Sequence, residues 1–191
     1  MDELFIDRKK TAIVAIDLQK GIAGRDTKPY SPKEVISNAS KIINAFREKG
    51  MPVFLVHVNP SKETSLKPMA DISMGANMAR PPDFADFVPE LGLSPGDIII
   101  TKHQWGAFYG TDLDMQLKRR KIETIVLCGI ATSIGVESTA RFAYEYGYNQ
   151  IFAEDAMSSL TLEEHNSTIN NIFRKMGRVR KTSEIIDALK R

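Results

Sequence analysis

An α/β architecture follows from three features of the chain: a three-layer sandwich, with a mostly parallel sheet of five to six strands and helices on both faces. Short β-branched runs alternate with segments of helical periodicity, a pattern that implies parallel pairing through right-handed crossovers. The strand candidates are almost wholly apolar, as strands buried on both faces are. Chemically loaded residues gather where those strands end, the edge at which open parallel sheets bind ligands. The 191 residues suit one domain over 1–191, and no repeat, low-complexity tract or linker divides them.

The first strand is Ala12 to Asp17 (AIVAID), apolar until it ends in a carboxylate. After a polar loop, Ser31-Pro32-Lys33-Glu34 opens a helix. Serine caps it, proline takes the first helical position and glutamate completes a capping box. Ile36, Ala39, Ile42, Ile43 and Phe46 form its buried face, and Gly50 ends it. Pro52 to Val58 is the second strand. Asn59 to about Gly96 lacks strong periodicity and reads as a functional loop or lid. Its Met69, Met74 and Met78 either cover a pocket, face another subunit or serve as adaptable packing.

Asp97 to Thr101 is the third strand, leading into Lys102. Thr111 to Arg120 reads as a helix and Thr124 to Gly129 as the fourth strand. Gly129 breaks that run, and Ala131-Thr132-Ser133 makes a tight turn. Ser133 or Thr132 is the expected N-cap of a helix from Ile134 to Tyr146. Asn149 to Glu154 is the fifth strand. A second capping box, Thr161-Leu162-Glu163-Glu164, opens a helix to about Lys175. Arg178 to Arg180 gives a short sixth strand, and Thr182 to Leu189 a closing helix. Asp17, Lys102 and Ala131–Gly135 therefore fall on one edge of the sheet.

Composition bounds the partners. Lys and Arg number 26 against 24 Asp and Glu, a net charge of +2 that argues against nucleic acid. The clusters Lys118-Arg119-Arg120-Lys121 and Arg174 to Lys181 read as solvated faces and helix-end cations. A single cysteine excludes an intrachain disulfide and fits a reducing compartment. The first residues carry acids where a secretory signal needs bases, and no run approaches a membrane span. The expectation is a cytoplasmic protein acting on a small molecule, without membrane or nucleic-acid partners.

Asp17 reads either as an acid/base group, partly desolvated at its strand end, or as a cap or structural ion-pair member. Lys102 either joins it or extends into water. Trp105, Phe108 and Tyr109 either wall a ring pocket or are core aromatics. The strand-to-helix turn directs backbone N–H groups and a helix dipole at one spot, a natural anion or oxyanion site. Cys128 lies inside a strand, where thiols are usually inert. Thr132, Ser133 and Ser138 are hydroxyls near the turn, but a serine nucleophile needs a base in reach. None of His57, His103 and His165 is obviously placed as that base, although His57 stands near the second strand's end. The three lack the spacing of a zinc motif, and neither metal nor cofactor is expected.

The stretch GIATSIGVESTARFAYEYGY resembles the signature of the isochorismatase-like hydrolases, the cysteine hydrolase superfamily. Two more segments match: Ala15-Ile16-Asp17-Leu18-Gln19, and Ile100 through Lys102 and Trp105 to Phe108. The resemblance runs from about Thr11 to the C-terminus. It implies a Rossmann-like fold, a homo-oligomer (dimer or tetramer), Asp17 as catalytic acid/base, and Lys102 as its partner that also helps bind substrate or stabilise developing negative charge. It also implies a substrate-binding set of Gln19, Trp105, Phe108, Ile130, Ala131, Ser133 and Ile134, with a cis peptide at Ile130–Ala131. Most of the superfamily carries a nucleophilic cysteine where this chain has Gly135. True isochorismatases, which hydrolyse a vinyl ether, lack it too. The resemblance thus implies Asp/Lys acid–base hydrolysis of an isochorismate-type vinyl ether. An amidase or ureidohydrolase with a non-standard nucleophile, or a non-catalytic binding protein of the same fold, are the alternatives.

Overall fold

In a computed structural model, which describes residues 3–60, 65–72 and 80–191, six strands pair in parallel. They are β1 (Thr11–Ile16), β2 (Val53–Val58), β3 (Ile98–Lys102), β4 (Thr124–Ile130), β5 (Asn149–Ser158) and β6 (Arg178–Arg180). The spatial order is β3-β2-β1-β4-β5-β6. The chain winds outward from β1 through β2 to β3, returns to β4 beside β1, and winds outward the other way. The strand order therefore reverses between β1 and β4, and open sheets of this kind bind ligands beyond the carboxyl ends of the strands at such a reversal.

Every residue of β1 is buried because both sheet faces are covered. A one-turn helix, α1 (Lys20–Ala23), follows β1 where the sequence reads as a loop. One face carries a core built with α2 (Pro32–Glu48) and α7 (Thr182–Lys190). The opposite face carries a second core built with α3 (Leu113–Arg119), α4 (Glu137–Glu145) and residues 168–173. The Ser31–Glu34 capping box closes in both directions, with Ser31 N donating to Glu34 Oε2 at 2.9 Å and Glu34 N to Ser31 Oγ at 3.3 Å. The buried face of α2 is the expected one with Val35 added. Phe46, Ile42 and Ile43 are fully buried there, each stabilising the fold by about 1.5–3 kcal/mol. No helix among the described residues is long and apolar enough to cross a membrane.

Besides α1, four elements differ from the sequence expectation. The fifth strand continues to Ser158, because a register shift at Leu127/Gly129 lets β5 resume pairing beyond Glu154. The helix expected from Thr111 starts at Leu113, since Thr111 Oγ1 donates back to the Ala107 carbonyl at 2.5 Å. The helix expected from Ile134 begins with π-wound turns over Thr132–Val136 before α4. The helix expected to run to Lys175 divides into α5 (Leu162–Ser167), a π-wound segment Thr168–Phe173 and a last turn, α6 (Arg174–Met176). Between 59 and 96, a 3₁₀ turn at Pro89–Leu91 and a bridge from Gln19 to Phe87 are the regular features among the described residues. Met74 and Met78 lie outside those residues; Met69 is fully exposed.

Candidate active site

β1 leaves the sheet through Asp17, whose φ of 54° places a non-glycine residue in the left-handed region. Such conformations cost roughly 1–3 kcal/mol and gather at functional sites. The Asp17 N–H still donates to the Val56 carbonyl at 2.8 Å, so β2 fixes the turn. A second device brings β4 close. Gly129 has φ 127°, and a Cβ there would stand 2.0 Å from the Ile16 carbonyl oxygen. No other residue permits that approach of β4 to the last residue of β1.

Lys102 ends β3 and reaches over β2 to Asp17. Its ammonium lies 2.8 Å from Asp17 Oδ2 and donates to the carbonyls of Gln104 at 3.1 Å and Trp105 at 2.9 Å. An ammonium has three N–H donors, and all are engaged. Both side chains are buried, Lys102 to 1 % exposure and Asp17 to 5 %. Burial pushes the Asp17 carboxyl above the usual carboxylate range, against the pull of the Lys102 charge. Asp17 Oδ1 has no hydrogen-bond partner among the described residues.

Gly135 completes the group. A Cβ there would meet Asp17 Oδ2 at 3.0 Å, Ile16 Cγ2 at 3.1 Å and the Trp105 carbonyl at 3.4 Å. The structure thus brings Asp17, Lys102 and Gly135 together from the ends of β1, β3 and β4. The peptide between Ile130 and Ala131 is cis, as the resemblance implies. Neither Thr132 nor Ser133 caps the following helix: the π-wound turn has no side-chain cap. Thr132 Oγ1 instead pairs with His165 Nδ1 at 3.0 Å, and Ser133 Oγ with Ser159 Oγ at 2.6 Å.

The remaining candidates separate. Ile130 and Ala131 are buried beside the turn and Ile134 is half-buried against the α2-side core. Trp105 is 58 % exposed and enters the site through its carbonyl. Gln19 is corrected from a substrate contact to a clamp. It is fully buried, donates to the Val58 and Phe84 carbonyls at 3.0 and 2.9 Å, and accepts from Val58 N at 2.8 Å. No amide hydrogen remains for a ligand. Phe108 is corrected to a core aromatic. It packs on Tyr146 and Tyr148, which precede β5 at the amino-terminal end of the sheet, away from Asp17.

Cys128 is fully buried in β4, and burial pushes its thiol up to about 12, far from a reactive thiolate. His57 is held by the Ala85 carbonyl and Thr101 Oγ1, each at 2.7 Å, and stacks on Phe87. His103 Nδ1 meets the Asn59 carbonyl at 2.7 Å. Among the described residues, no group of three or more His, Cys, Asp or Glu is arranged to hold a metal ion. The sequence reading missed Ser159 and gave His165 no place. The Thr161 capping box was a usable signal for the latter, since it fixes the phase of the helix that carries His165 inward.

The isochorismatase domain family matches residues 11–184. The isochorismatase family protein YwoC of Bacillus subtilis is 49% identical over 192 residues, covering 100% of both chains. The ureidoacrylate amidohydrolase RutB of Pantoea ananatis is 28% identical over 209 residues, covering 95% of this chain and 82% of its own. A solved isochorismatase family protein from Burkholderia thailandensis superposes with a TM-score of 0.93 at 41% identity, with 100% of each chain covered.

Proposed function

The chain belongs to the isochorismatase family, and from that premise we propose that it is a hydrolase of isochorismate-type vinyl ethers that works by acid–base chemistry without a thiol nucleophile. The observation that carries the reading is the buried, unpartnered Asp17 Oδ1 beside a side-chain-free Gly135. Gly135 stands where most of the superfamily carries its cysteine.

In this mechanism Asp17 Oδ1 protonates the terminal carbon of the enol-pyruvyl group. The electron pair of the C=C bond forms the new C–H bond and leaves an oxocarbenium carbon. Water adds to that carbon and loses a proton to Asp17, and the hemiketal collapses to pyruvate and a hydroxylated ring acid. Burial favours the protonated carboxyl that the first step needs. Lys102 has all three donors engaged, so it holds Asp17 in place and contacts no substrate. Backbone N–H groups of the 131–135 turn other than those of Ser133 and Ile134, which bond within the protein, receive the substrate's carboxylate.

Pyruvate release from isochorismate, read by a coupled assay, tests this. Turnover by the wild type and at least a hundredfold loss in Asp17→Asn is the expected result, about the contribution of a general acid. Turnover retained in Asp17→Asn removes Asp17 from the chemistry. The similarity to ureidoacrylate amidohydrolase supports a second reading, hydrolysis of a ureide or carboxamide by activated water. Ammonia release from a ureide panel, with isochorismate untouched, would select it.

A further inference from the structure

The turn that carries Gly135 is wound as a π-helix, with the Val136 N–H donating to the Ala131 carbonyl at 3.2 Å. An i→i+5 bond brings the residue five positions on over the first, so Thr132 and Glu137 face the same way. Ordinary α-winding would turn them apart. Against that face lies the helix beginning with α5. Its His165 and Thr168, three residues apart, share one side. His165 Nδ1 meets Thr132 Oγ1 at 3.0 Å, and Thr168 Oγ1 donates to Glu137 Oε2 at 2.7 Å. A third tether comes from just ahead of that helix: Ser159 Oγ bonds Ser133 Oγ at 2.6 Å and the helix's own Glu164 Oε2 at 3.3 Å. Thr132, His165 and Thr168 are all at most 3 % exposed.

We propose that the 162–173 helix is a clamp that keeps the 132–136 turn π-wound, with His165 and Thr168 as its positioning residues. The reason lies in what the winding supplies. Five residues in the turn space Gly135 against Asp17, and a relaxation to α-winding would rotate Gly135 out of that register. The buried Thr132 hydroxyl at one end of the turn and the Glu137 carboxylate at the other both bind to the clamp, so relaxation would leave these groups and their partners unsatisfied. His165 Nε2 faces Glu154 Oε1 at 3.8 Å, and Nδ1 is the ring atom that reaches the turn. The inference rests on reading the turn as part of the site, but its test needs no turnover.

Amide hydrogen exchange, followed by NMR on the whole chain, reads the Val136 N–H directly. His165→Leu should speed its exchange about tenfold, the effect of losing one buried hydrogen bond. His165→Asn, whose amide occupies the Nδ1 position, should restore the wild-type rate. Thr168→Val should speed it too, which keeps the test open should His165→Leu not fold. Amides of β1, such as Ile13, should keep their rates. An unchanged Val136 rate, or a rise shared equally with β1, overturns the clamp, as does failure of His165→Asn to rescue. A protein inert toward isochorismate would leave these rates readable, so the two proposals fail separately.

Discussion

Lys102 and Asp17 form a buried pair whose loss depends on which partner goes. Removing the ammonium leaves Asp17, wherever it is ionised, uncompensated among apolar neighbours, at a cost of up to about 3–5 kcal/mol for a buried charge. Lys102→Met keeps the volume of the stem and leaves the Gln104 and Trp105 carbonyls without their donor. We expect a strongly destabilised protein at pH 7 whose deficit shrinks on acidification, because protonation of Asp17 abolishes the stranded charge. Urea midpoints measured at several pH values check this, and a deficit independent of pH would mean the carboxylate is not the source. Both residues were legible in the sequence for one reason. A charge that closes an apolar strand has no packing explanation, so it marks either a pair or a site. Gln19 and Phe108 were misread because a motif fixes which residues are neighbours in sequence, not where their side chains point.

Two glycines show how the elements are fastened, and they predict different outcomes. Gly129 combines positive φ with a hypothetical Cβ 2.0 Å from backbone, and backbone of β1 cannot yield without breaking the pairing of β1 with β4. Gly135 meets its nearest atoms at 3.0 and 3.1 Å, both in side chains that can give slightly. Gly129→Ala should therefore unfold the protein or leave it insoluble. Gly135→Ala should fold with a loss of about 1–3 kcal/mol, the usual cost of overpacking, while displacing Asp17 and suppressing pyruvate formation. Comparable melting losses in the two variants would refute the distinction. At this scale the strands and capping boxes were readable because periodicity and cap chemistry are written locally. The π-wound segments at 132–136 and 168–173 were not, since one extra residue per turn leaves no mark on composition. The extension of β5 to Ser158 escaped for a similar reason: the shift that permits it arises in the neighbouring strand.

Across the whole molecule, the reversal of strand order between β1 and β4 decides where chemistry can occur, and alternation of strands and helices was enough to anticipate that edge. Two carboxylates, the buried Asp17 and the half-buried Glu154, link stability to pH with opposite signs. Burial works against ionisation of Glu154, but the His165 ring, the Lys181 ammonium and the Tyr30 hydroxyl outweigh it and hold the carboxyl at about 2, down from 4.5. Its contribution is complete above 4.5 and is lost as pH falls toward 2. Asp17 moves the other way: its folded-state value is raised by burial, so its contribution is complete below 3.8 and is lost as pH rises through that raised value. Substituting either residue changes the height of the stability curve for several reasons, but only titration of that residue changes its slope. Glu154→Gln should flatten the rise in unfolding free energy between about pH 2 and 4.5. Asp17→Asn should flatten the fall that begins near pH 3.8. Denaturant titrations of both variants across that range decide the matter: slopes unchanged in Asp17→Asn would mean that Asp17 is not perturbed by its burial, and the general-acid role would lose its physical basis.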